Sequence, residues 1–92
     1  MTNWRFFGRT SGSGEIYEIY RIPADGKPFH EHLQSGVERL SKSGCWLYDP
    51  KDKAIWLELM KGNFVEAQDE MTKEEVAYCF EIWSKGRWPG RS

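Results

Sequence analysis

WRFFGRTSGSGEIYEIYRI, residues 4 to 22, holds two runs of aromatic and β-branched residues around a short polar centre. The runs are Trp4 to Arg9 and Glu15 to Ile22. Such residues suit the pleated, half-buried surface of a strand. Two such runs joined by a short link containing glycine make a hairpin. Thr10-Ser11-Gly12-Ser13-Gly14 is that link, and Pro23-Ala24-Asp25-Gly26 then stops the second strand in turn residues.

Beyond the hairpin, Pro28 stands where a helix begins. Phe29, Leu33, Val37 and Leu40 recur at helical spacing within about 80° of arc, which predicts one buried stripe. Gly36 shares that side, where it would let a strand approach, and Gly44 is placed to end the helix. The second half repeats the grammar. Cys45 to Tyr48 reads as a strand, Asp49-Pro50-Lys51-Asp52 as a turn, and Ala54 to Met60 as the return strand. Phe64 to Glu70 reads as a loop pinned by Phe64 and Val65. Thr72-Lys73-Glu74-Glu75 fits a capping box, with Met71 and Val76 as its hydrophobic staple. A helix then runs to about Ser84, with Gly86 after it. The expected fold is α+β: a two-layer, four-stranded, mainly antiparallel sheet with two helices on one face, in the order ββαββα. One small domain spans residues 1–92, with an irregular tail from about residue 86.

Composition bounds the function. The chain has 92 residues, 15% aromatic and 29% charged, with net charge −1. That aromatic bulk favours a packed core over disorder. Near-neutral charge gives no bulk attraction to nucleic acid or to an anionic membrane. Cys45 and Cys79 lack CxxC spacing and read as reduced, buried thiols of a cytoplasmic protein. No apolar run reaches the ~18 residues that span a bilayer, and Met1 to Arg5 does not resemble a secretory leader. The expectation is a soluble, intracellular protein.

No stretch carries a catalytic or ligand signature. His30-Glu31-His32 places two histidines about 200° apart on a helix, so they cannot share one ion and read as boundary residues. Gly12-Ser13-Gly14 leads into a strand, whereas a phosphate loop opens a helix. An enzyme or metal protein using His30 or His32 with Cys45 or Cys79 is therefore a minor alternative, and no cofactor or metal is expected.

The surfaces left over are more informative. Arg5, Arg9, Tyr17 and Arg21 lie on the first two strands, and an aromatic and arginine sheet face can stack nucleic-acid bases. The same residue types enrich protein interfaces. In the last helix Val76, Cys79, Phe80 and Trp83 form a stripe that Tyr78 and Ile82 widen to about 200°, twice an ordinary amphipathic stripe. Either that helix is wedged between the sheet and the first helix, or Tyr78 and Ile82 meet another chain. The reading is non-enzymatic binding of a protein, or self-association as a homodimer, with Trp56, Tyr78 and Ile82 as contact residues. A small nucleic-acid-binding module is the alternative, and no membrane partner is expected.

Overall fold

A computed structural model describes residues 3–49, 60–61 and 69–90. Along the chain run β1 (Trp4–Thr10), β2 (Ile16–Pro23), α1 (Phe29–Ser35), β3 (Val37–Leu40), β4 (Trp46–Asp49), β5 (Glu70–Met71) and α2 (Lys73–Lys85). The strands form one five-stranded antiparallel sheet in the order β4-β3-β2-β1-β5.

The β1–β2 hairpin forms where residues 4 to 22 place it, and β3–β4 is a second hairpin closed in the same way. Ser11-Gly12-Ser13-Gly14 and Ser41-Lys42-Ser43-Gly44 are equivalent loops. In each, the first serine's N–H donates across the hairpin, Ser11 to the Glu15 carbonyl at 2.8 Å and Ser41 to the Cys45 carbonyl at 2.9 Å. In each, the glycine N–H turns back to the first serine's carbonyl at 2.9 Å. The two serine hydroxyls of each loop also pair, at 2.9 and 2.8 Å. Gly14 and Gly44 take φ of 85° and 87°, the left-handed residue that closes a three-residue hairpin link.

The expected four-stranded sheet, the order ββαββα and the shared helix face are all corrected. The first helix stops at Ser35, because Gly36 turns the chain at φ 106° and Val37–Leu40 continues as β3. Phe29, Leu33 and Val37 are buried in one cluster, so their spacing reflects a common core reached from a helix and then a strand. β5 is two residues long, too short to show a periodicity, and it joins the free side of β1 through Phe6 and Phe7. Ala54 to Leu59 of the expected return strand lie outside the described residues.

The helices sit on opposite faces of the sheet. Phe7 and its cross-strand partner Tyr20 belong with Ile22, Phe29, Leu33 and Val37, the cluster beneath α1. Ile19, opposite Gly8 and pointing the other way, belongs with Leu40, Met71 and Val76 beneath α2. Phe80 and Trp83 of α2 are only partly buried against that second cluster. Thr72 caps α2 through a complete capping box, and Met71 and Val76 are both buried next to it. Residues 86–90 form no helix or strand, but Trp88 packs edge-on to Phe80 and Trp83 at 5.9 and 5.1 Å.

Candidate binding site

The antiparallel register sets Arg21 of β2 directly between Phe6 of β1 and Glu38 of β3. Its Nε and Nη2 donate to Glu38 Oε1 at 2.8 and 2.6 Å. So held, the guanidinium lies 3.8 Å from the Trp4 ring centre and 4.7 Å from that of Trp46. Both distances are within the range in which a cation is attracted to an aromatic face. Phe6 extends the wall, its ring 5.7 Å from Trp46.

α2 supplies the opposite wall. Val76 and Phe80, one turn apart, point toward the sheet, with Ala77 and Lys73 at the exposed rim. Between the walls is a mainly apolar cavity of about 430 Å³ whose lining also includes Leu40 and Gly44. A more polar cavity of about 420 Å³ adjoins it at Trp4, Phe6 and Lys73 and continues to Arg5, Glu70 and Thr72. Arg21 and Arg5 each face a carboxylate, Glu38 and Glu70. Lys73 has no ion-pair partner among the described residues, which leaves the groove one positive charge in excess.

The other face of the sheet holds a buried polar cluster. Glu18 is 5% exposed, accepts a hydrogen bond from the Tyr20 hydroxyl at 2.6 Å and lies 3.6 Å from Arg9. Burial disfavours the charge on Arg9, but Tyr17, Tyr20 and Glu18 outweigh it and hold its pKa above the ordinary arginine value.

Of the sequence-derived candidates, Arg21 lines the apolar cavity, and Arg5 reaches only the polar cavity that adjoins it. Arg5 and Arg9 alternate to the α1 face, where Arg5 makes a two-point pair with Glu70 and Arg9 covers the Tyr17 ring at 5.2 Å. The four nucleic-acid candidates therefore do not share a surface. Tyr78 and Ile82 are 66% and 49% exposed on the side of α2 away from the sheet, and Trp56 lies outside the described residues. His30 is exposed, and His32 is bonded to Asp25 at 2.9 Å. Cys79 is on α2, across the sheet from both histidines, and burial together with nearby Glu75 raises its thiol pKa, the opposite of activation. Cys45 is exposed, not buried.

Trp4, Phe6, Trp46, Lys73 and Phe80 were not legible as site residues. Their convergence depends on strand order and on which face α2 covers. The available signal was adjacent apolar residues of both parities, Phe6-Phe7 and Ile19-Tyr20, the mark of a strand covered on both sides. No protein-family model, curated protein or solved structure matches this chain.

Proposed function

We propose that the domain is a non-enzymatic binding module that takes an apolar side chain of a protein partner into the groove between the sheet and α2. The Trp4–Arg21–Trp46 stack is the observation that carries this reading. Tryptophan and arginine dominate the energetics of protein interfaces, and these are fixed in advance by packing and by Glu38. Groups already ordered lose less freedom on binding, so more of the contact energy appears as affinity. The unmatched charge of Lys73 favours a carboxylate beside the inserted side chain.

The groove suits protein better than nucleic acid. Phosphates would have to compete with Glu70, Glu18 and Glu38 for the three arginines, and the chain's net charge of −1 adds no long-range attraction. Among the described residues no helix is long and apolar enough to cross a membrane. Both cysteines are unpaired thiols, which supports the cytoplasm as the working compartment.

N-acetyl-tryptophan, an indole with one carboxylate, is the minimal probe. Titration followed by amide chemical shifts should move resonances of Trp4, Phe6, Trp46 and Phe80, with a Kd of roughly 0.1–1 mM for a ligand of this size. Its uncharged amide should bind more weakly to wild type, and that difference should vanish in Lys73→Gln. Ala77→Glu, at an exposed position on the rim, should abolish binding without unfolding the domain. Absence of shifts at about ten times the expected Kd would refute the groove as a binding site.

A further inference from the structure

α2 has a second face, opposite the groove. Glu74, Glu75, Tyr78, Glu81, Ile82 and Lys85 fall within about 120° of arc on the side away from Val76, Phe80 and Trp83. All six are exposed. Along the helix axis the stripe runs acid, acid, aromatic, aliphatic, base, with Glu81 at its margin. Tyr78 and Ile82, one turn apart, form its apolar centre.

Read in the reverse direction, this stripe is its own complement. Two antiparallel copies of α2 related by a two-fold axis can set Tyr78 of one against Ile82 of the other. The same register brings Glu74 of each copy within reach of Lys85 of its neighbour, so that one ion pair can form twice, while Glu75 keeps its place in the capping box. A two-fold contact must be self-complementary in this way. The antiparallel helix dipoles favour it as well. We propose that this face of α2 joins two copies of the chain.

Lys85 already pairs with Glu81 of its own helix at 2.9 Å, but both groups are largely exposed. A pair of that kind contributes little, so exchanging it for an intermolecular one costs little. A 13-residue helix is only about 20 Å long, so the contact buries less than the roughly 1,200 Å² of a standard stable interface. The dimer is correspondingly weak, with a Kd between roughly 10 µM and 1 mM. The groove lies on the other side of α2, so the contact is independent of the binding function proposed above. In the dimer both grooves remain available.

Sedimentation equilibrium of the full chain, from about 10 µM to 1 mM, tests this directly. Wild type should show a monomer–dimer equilibrium, and Ile82→Glu should weaken it at least ~10-fold by burying a charge in each half of the contact. Glu74→Lys and Lys85→Glu should each weaken it roughly 5-fold, since each reversal acts twice. The double variant Glu74→Lys/Lys85→Glu should return to within about 3-fold of wild type, because the exchanged charges meet again across the axis. The positions are exposed, and unchanged melting and helical circular dichroism of the charge variants exclude unfolding as the cause. A chain that stays monomeric throughout that range would overturn the proposal. So would a dimer indifferent to Ile82→Glu, or charge reversals that fail to compensate.

Discussion

Gly36 shows how one residue redirects the chain. It takes φ 106°, ends α1 and starts β3, and a Cβ built on it would lie 2.6 Å from the ring of Tyr48. That ring lies over the glycine while its hydroxyl donates to the Ser35 carbonyl. Gly36→Ala should therefore destabilise by roughly 1–3 kcal/mol through backbone strain alone, with displacement of Tyr48 adding to it. Chemical denaturation measures this, and a loss below about 0.5 kcal/mol would mean that the turn relaxes freely. At the same scale, Arg5 donates to both carboxylate oxygens of Glu70, at 2.9 and 3.0 Å. This holds the Glu70 pKa below the usual glutamate range, against a smaller opposing effect of burial. A folded pKa below the unfolded one gives stability that is present above the ordinary value of about 4.3 and is lost as pH falls through the folded value. The melting difference between wild type and Glu70→Gln should thus be larger near pH 7 than in acid well below the ordinary glutamate range, where the stabilising charge of Glu70 is being lost. It should also shrink with added salt, since the pair is partly exposed. An equal difference at both pH values would exclude the charge as its cause.

At the scale of elements, the twin Ser-x-Ser-Gly loops are alike in backbone and unequal in burial. Ser41 is 3% exposed, and its hydroxyl donates to the Cys45 carbonyl at 2.7 Å. Ser11 meets only the exposed Ser13 through its hydroxyl. Ser41→Ala should cost about 1 kcal/mol, because it removes from a buried site a hydroxyl bonded to both the Cys45 carbonyl and Ser43, although the Ser41 N–H still donates to that carbonyl. Ser11→Ala should stay within about 0.5 kcal/mol. Equal losses in equilibrium unfolding would show that the turn backbone, and not burial, sets the value of the serine. Elements that close on local chemistry were legible in the sequence: the first hairpin from its strand residues and glycines, and the start of α2 from Thr72 and Glu75. β3 was not, because Val37 and Leu40 extend the helical spacing of Phe29 and Leu33. Only the conformation of Gly36 separates helix from strand there. The groove was hidden for a related reason. Trp4, Arg21 and Trp46 come from three strands, and the pairing that unites them is not written in any one of them.

For the whole molecule, helices on opposite faces mean that the sheet separates two clusters of buried side chains instead of covering one. Beneath α1, Phe7, Tyr20 and Phe29 are fully enclosed, and Ile22, Leu33 and Val37 are nearly so. Beneath α2 the enclosure is looser, with Phe80, Trp83 and Trp88 only partly covered. Lifting α2 away would uncover the second cluster and leave the first intact, so the domain should open in stages. Native-state hydrogen exchange should find the amides of α2 opening at lower free energy than those of central β2, converging only as denaturant approaches the global transition. A single opening energy for α2 and β2 would show one cooperative unit. In a graded molecule the groove is also a latch. Any ligand seated between Phe80 and the Trp4–Trp46 wall clamps the more weakly held layer to the more strongly held one, and should slow exchange in α2 well before it changes exchange in β2.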